Sequence, residues 1–167
     1  MTLEEIAARL EITDVLYRYC RGVDRGDIAL LKSVYHPDAH DNHGSFKGNG
    51  HDFADYLVPS MDRPPHVGQH HITNTLIELH GEQADVESYF IAYHPDLDAD
   101  NRPVIVRVGG RYLDRFERRH GAWKIARRDV VIDWTETPSP VAQWEAQSLF
   151  LQGARRERDP SHLHFKR

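Results

Sequence analysis

Gln69-His70-His71-Ile72-Thr73-Asn74-Thr75-Leu76 opens the stretch at which the periodicity of the chain changes from helical to alternating. Alternation with period two marks a strand with one buried face. Four strands are predicted from here on, over 69–80, 83–94, 103–118 and 122–134. Gly81-Glu82, the run DLDADNRP and His120-Gly121 supply the turns between them.

Upstream the spacing is helical. Ile6, Leu10, Ile12, Val15, Leu16, Tyr19 and Val23 recur at three and four residues, and Gly22 and Gly26 mark the end of this first helix. Asp27 is a good N-cap for a short second helix carrying Ile28, Leu30, Leu31 and Val34, which His36-Pro37-Asp38 stops. Residues 39–48 read as a short strand or hairpin arm, and Asn49 can cap a third helix around Phe53 that ends at Pro59. The run from Arg63 to Gly68 is a loop. Val141 to Leu151 is again helical in pattern, and the charged tail after it reads as a solvated terminus, so 1–140 is taken as the domain and 141–167 as an appendage. Helices first and antiparallel strands afterwards signify an α+β domain. A curved sheet wrapped over the long first helix would leave a pocket between the two.

Length and composition agree. The 167 residues suit one domain, and 40% hydrophobic with 28% charged residues suits a soluble globular chain rather than a disordered one. Lys+Arg number 21 against 26 Asp+Glu, a net charge of −5, so the chain lacks the basic field of a non-specific nucleic-acid binder. No stretch has the roughly 18 apolar residues of a membrane span, and the acidic start MTLEEIAARLEITDVL is unlike a secretory signal. Cys20 is the only cysteine, which excludes an intrachain disulfide and makes a cytoplasmic location the expectation. Twelve histidines are the anomaly, pointing to acid–base chemistry or metal ligation.

Three places could carry chemistry. Asp24 ends the first helix; Tyr19 lies five residues earlier, about 140° around an ideal helix, so both line one pocket only if the helix loosens near Gly22. On the 69–80 strand His70 shares a face with Ile72, Asn74 and Leu76 and is expected inward, with His71 facing solvent or a partner subunit. On the last strand Trp123 and Ile125 have one parity and Val130, Ile132 and Trp134 the other. A β-bulge near Arg127-Arg128 would reconcile the two runs and turn Arg128 inward.

The order of elements, the opening pattern EIxDxLYRYCRGVDRGD, the QHHITN strand and the ERRHGAWKIARRD strand resemble the SnoaL-like branch of the nuclear transport factor 2-like superfamily. The resemblance spans roughly residues 3 to 140. It implies a cone-shaped (cystatin-like) α+β barrel, a mostly antiparallel sheet curved over the N-terminal helix with two further helices. Members include hexachlorocyclohexane dehydrochlorinase, bile-acid 7α-dehydratase and scytalone dehydratase. In the dehydrochlorinase the Asp of a G/A-V-D motif pairs with a His four residues before an Asn; here these are Asp24, His70 and Asn74. Its arginine, five residues after a Trp-Lys pair begins, corresponds to Arg128. Five residues before the Asp that enzyme has a lysine and the bile-acid dehydratase a tyrosine; this chain, with Tyr19, follows the latter.

The resemblance therefore implies Asp24, His70, Arg128 and Tyr19 as catalytic residues. A carboxylate beside an imidazole fixes its tautomer and stabilises the charge it acquires, so His70 could act as a general base. Arg128 and Tyr19 would stabilise negative charge on a substrate oxygen or leaving group. The expectation is a cofactor-independent lyase or isomerase acting on a small hydrophobic, cyclic or aromatic substrate, without metal, membrane or nucleic acid. The family implies a homo-oligomer, a dimer or a trimer. Three alternatives stand beside it. One is a non-catalytic ligand-binding or scaffold domain. Another is a metal site at His36, Asp38, His40, Asp41 and His43, with His162 and His164. The last is the accessory β subunit of a ring-hydroxylating oxygenase, which needs a partner chain for its iron because one cysteine cannot hold an iron–sulfur cluster.

Overall fold

Thr2 starts the fold. Its hydroxyl accepts the Glu5 backbone N–H at 3.1 Å while the Glu5 carboxylate accepts the Thr2 N–H at 2.6 Å, a reciprocal cap that satisfies two orphan donors. Helix α1 then runs Leu3–Arg25 and stops at Gly26, which takes the left-handed φ of 65° that a side chain would resist. The computed structural model describes residues 1–61, 68–140 and 156–158.

The buried stripe of α1 is Ala8, Ile12, Val15, Leu16, Tyr19 and Cys20. Ile6 and Leu10, expected on it, are 40% and 67% exposed. Leu10 stands about 160° around the helix from Ile12, so threes and fours alone overcounted the face. Nor does Gly22 end the helix or loosen it. A Cβ there would lie 3.0 Å from the Leu31 Cβ, so the glycine lets helix α2 (Ile28–Ser33) cross closely.

Asp27 caps α2 by accepting the Leu30 N–H at 2.9 Å. The helix ends before His36-Pro37, because Tyr35–Asn42 already forms strand β1. Pro37 has no N–H to give a ladder, and the β1 register slips between Tyr35 and His40. Strand β2 is Lys47–Asn49, and Asn49 caps helix α3 (Gly50–Tyr56) through the His51 N–H at 2.8 Å. Pro59 does not end α3; it sits in the first turn of helix α4 (Val58–Met61), where its missing N–H costs nothing.

The four long strands are β3 (Gln69–His80), β4 (Gln83–Leu97), β5 (Pro103–Arg119) and β6 (Ala122–Pro140), three of them longer than predicted. The predicted helix over 141–151, and the loop over 63–68 apart from Gly68, lie outside the described residues. Together the strands form one open sheet in the order β2-β1-β6-β5-β4-β3. Every pairing is antiparallel except β1 on β6. The concave face packs on α1 around Ala84, Phe90, Tyr112, Phe116 and Ile125. The expected α+β cone is the fold observed.

Two bulges decide which side chains enter. In β3 the register shifts between Ile72 and Thr75, so His70 and Ile72 point inward and then Ile77 and Leu79 do. Asn74 and Leu76, expected to share the His70 face, are exposed, Leu76 by 64%. In β6 Ile125 pairs with Phe116 and Arg127 with Arg115, which leaves Ala126 as the extra residue. That bulge lies one position before the place expected, and it does turn Arg128 inward to complete burial.

Candidate active site

Asp24 projects from the last turn of α1 onto the first residues of β3. One carboxylate oxygen accepts the His70 Nδ1–H at 2.7 Å and the other accepts the His70 backbone N–H at 3.0 Å. Gripped at both ends, the imidazole keeps its Nδ1 proton toward the acid and its Nε2 lone pair for other work. The two side chains are only 8% and 12% exposed, for His70 and Asp24 respectively. His94 on β4 stands edge-on to His70, with ring centroids 5.2 Å apart. Its pKa is pushed down to about 4, by desolvation first and then by the neighbouring His70. At neutral pH His94 is an uncharged neighbour. His71 faces out, edge-on to Tyr93 at 5.7 Å.

Tyr19 and Arg128 come together elsewhere. Arg128 gives its Nε–H to one Asp114 oxygen at 2.8 Å and its Nη2–H to the other at 2.7 Å, both side chains being fully buried. The guanidinium lies between two aromatic faces, 4.1 Å from the Tyr19 ring centre and 4.0 Å from that of Tyr112. Burial alone would depress the guanidinium, but the charge and hydrogen bonds of Asp114 outweigh it and hold its pKa well above the ordinary value. The remaining nitrogen, Nη1, has no hydrogen-bond partner among the described residues. Desolvation raises the Tyr19 hydroxyl above the usual phenol range, so it stays a neutral donor.

The strand register sets the separation of the two groups. His70 pairs with Ala92 and Ala92 with Val108, whereas Arg128 pairs with Asp114, six residues further along β5. The Gly110–Phe90 and Tyr112–Ser88 rows lie between. Helix α1 joins the two groups, because Tyr19 and Asp24 are separated by an axial rise of about 7.5 Å.

A third group was not ranked by sequence reasoning. Asp41, fully buried on β1, accepts the Tyr35 hydroxyl at 2.6 Å through one oxygen and bonds His43 Nδ1 through the other. His43 Nε2 in turn lies 3.0 Å from the Tyr19 hydroxyl, and the ring stacks on Phe53 at 4.0 Å. Asp41 lies on β1 and His43 one residue past its end, and the two-residue spacing, which puts alternate side chains of an extended chain on one face, was the available signal for the pair. For Asp114 the signal was a carboxylate in the inward parity of Tyr112 and Phe116 on β5. Among the described residues no three His, Cys, Asp or Glu converge as metal ligands. His36 bonds the Glu117 carbonyl at 2.9 Å and Asp38 pairs with Arg119 at 2.6 Å, so both are engaged elsewhere; His162 and His164 lie outside the described residues.

A family model of the SnoaL-like domain matches residues 4–129. The chain belongs to the SnoaL-like domain family. Among curated relatives, this SnoaL-like domain is 28% identical over 131 residues to the uncharacterized protein Rv2910c of Mycobacterium tuberculosis, covering 77% of this chain and 87% of that one. Among solved structures it is similar to a type 2 hexachlorocyclohexane dehydrochlorinase, LinA, with a TM-score of 0.72 and 23% identity over 85% of this chain and 95% of the other. The type 3 LinA of Novosphingobium barchaimii superposes with a TM-score of 0.69 and 23% identity, over 85% of this chain and 97% of that one. At that identity the likeness establishes the fold. None of the described helices is long and apolar enough to cross a membrane.

Proposed function

We propose that this SnoaL-like domain is a cofactor-independent lyase or isomerase in which His70 removes a proton from a carbon next to an activating group. The observation that carries this reading is the two-point grip of Asp24 on His70, at 2.7 Å on the ring and 3.0 Å on the backbone. A binding pocket has no need of an imidazole whose tautomer is fixed and whose acquired charge is balanced. Asp24 stabilises the imidazolium as it forms, and the neutral His94 adds no competing charge. Negative charge developing on the substrate oxygen would be met by the Tyr19 hydroxyl and by the unpartnered Nη1 of Arg128. The pairing of Arg128 with Asp114 lowers its net pull and leaves both N–H groups of Nη1 unspent. Phe90 and Tyr112 in the core, with Val108 packed against it, make the surroundings apolar and aromatic, which favours a small cyclic or aromatic substrate.

The test needs no known substrate. Exchange of α-protons for deuterium in D2O, followed by NMR on a panel of small cyclic and aryl ketones, reads the proton-transfer step alone. The wild type is expected to accelerate exchange of at least one member, with D24N and H70Q slower by about 10²–10⁴-fold. Exchange at the buffer rate across the panel, or full exchange in either variant, overturns the assignment.

Association is read in the same way. The convex face of the sheet exposes Leu76 (64%), Trp134 (47%), Tyr89 (43%) and Leu113 (38%), which supports a homo-oligomer, dimer or trimer, closed through that face. Light scattering of the wild type and of L113E tests it; an unchanged mass in L113E argues against that face.

A further inference from the structure

The chain Asp41–His43–Tyr19 repeats, inside the same domain, the logic of Asp24–His70. We propose that Asp41–His43 is a second proton-transfer couple that feeds the Tyr19 hydroxyl, which makes the domain selective for substrates whose leaving group departs with a proton. The inference rests on the proton-abstraction reading above and assigns the other half of an elimination.

Each link has its own geometry. Asp41 is fully buried, and its second oxygen is taken by the Tyr35 hydroxyl at 2.6 Å, so the carboxylate is fixed in place on Nδ1 of His43. Phe53 stacks on the imidazole at 4.0 Å and holds its plane. Nε2 then meets one partner, the Tyr19 hydroxyl, at 3.0 Å. Tyr19 is 1% exposed, whereas the His43 side chain keeps 20% of its surface. A buried acid that gives away its proton needs a route for replacing it, and His43 is the member of the chain that solvent reaches. Tyr112 and Asp114 from β5 and Arg128 from β6 surround the same cluster; the Arg128 cation above the Tyr19 ring lowers the cost of negative charge on that residue while the proton is in transit.

The step balances. His70 Nε2 takes the proton from carbon, and the C–H electron pair becomes the new double bond. The bond to the leaving oxygen breaks with its pair on oxygen. That oxygen takes the Tyr19 proton, Tyr19 takes the Nε2 proton of a charged His43, and water departs. Solvent then removes one proton from His70 and returns one to His43.

A pair of ketones with one skeleton tests it, a β-hydroxy ketone, which must lose water, and its β-chloro analogue, whose chloride leaves without a proton. H43Q and D41N should each lose at least tenfold more rate on the hydroxy than on the chloro ketone, whereas H70Q should lose both alike. Y19F should show the H43Q pattern, and the Y19F/H43Q double variant should lose little beyond either single one, because the two act in series. A merely structural role for His43 would depress both substrates equally, and that result, or no loss on the hydroxy ketone, overturns the proposal. Wild type that exchanges α-protons but eliminates only chloride overturns it as well. Wild type without exchange removes the earlier reading, a separate failure that takes this one with it.

Discussion

Asp114→Asn should destabilise the domain far more than its change of one atom suggests. In the wild type the carboxylate accepts two bonds from the Arg128 guanidinium, at 2.8 and 2.7 Å, with both side chains at zero exposure. The amide keeps one acceptor but turns an N–H toward a guanidinium N–H, and a full positive charge is left buried. The Tyr19 and Tyr112 faces at 4.1 and 4.0 Å remain, yet a cation–π contact contributes only about 0.5–2 kcal/mol. Breaking a buried pair by removing one partner costs about 3–5 kcal/mol. For a chain of this size that lowers Tm by roughly 6–20 °C.

Arg128→Met behaves differently with pH. It leaves Asp114, whose carboxyl burial already pushes above its usual range, without the guanidinium that opposed the shift. A raised folded-state pKa means that the native state holds the proton more tightly than the unfolded chain. That stability is present at acid pH and is lost as pH rises through the folded value. R128M should therefore be less destabilised at pH 5 than at pH 7, and D114N should show no such trend. The double variant R128M/D114N should be more stable than D114N alone, since no unpaired charge remains. Urea denaturation of the four proteins at both pH values, with midpoints and slopes compared, provides the assay. Single-variant losses under about 1 kcal/mol, the scale of an exposed pair, or a double variant equal to the sum of the singles, would refute the reasoning.

Two further outcomes follow from packing and burial. A Cβ on Gly110 would stand 2.2 Å from the Val131 carbonyl oxygen, which cannot retreat without breaking the β5–β6 ladder, so G110A should lose about 1–3 kcal/mol or more in denaturation. At neighbouring Gly109 the obstacle is the half-exposed Trp134 indole at 2.1 Å, which can swing aside, so G109A should cost under about 1 kcal/mol and redshift tryptophan emission. The His36 ring is held below its ordinary 6.5, by burial first and by Arg119 and Lys124 after it. A depressed folded-state value means stability that is present above the unfolded pKa and lost as pH falls, so urea midpoints should fall below pH 6.5 less steeply in H36Q than in the wild type. Parallel curves would exclude His36 as a source of that loss.

Much of the architecture was legible because period and capping signals agree. Asp27 and Asn49 cap the helices their positions suggest, and the four long strands start where alternation starts. What escaped were breaks in period. Alternation was carried through Ile72–Thr75, where a bulge resets it, so Asn74 and Leu76 were assigned to the wrong face. In β6 two conflicting parities forced the idea of a bulge, and Arg128 was correctly turned inward. Of the candidate site, the pairing of Asp24 with His70 is legible only through motif resemblance, since a separation of 46 positions hides any local signal. Helix α1 stays regular through Gly22, so Tyr19 and Asp24 are set about 7.5 Å apart along its axis rather than drawn together by a loosened turn. Asp41 and His43 stand among the metal-ligand candidates in the sequence because His36-Pro37 reads as a helix stop, whereas Tyr35–Asn42 is a strand that carries Asp41 inward and ends one residue before His43.

The parallel seam between β1 and β6 has a consequence for biosynthesis. Asn42 bonds Asp129 across 87 residues, and β1 has no sheet neighbour other than the three-residue β2 until β6 arrives. Contacts of such long range form late, and during translation they wait for the distant segment to emerge from the ribosome. A nascent chain that ends short of Arg128 would carry Asp114 with no guanidinium to meet it, so the buried machinery is withheld until almost the whole described sheet has been made.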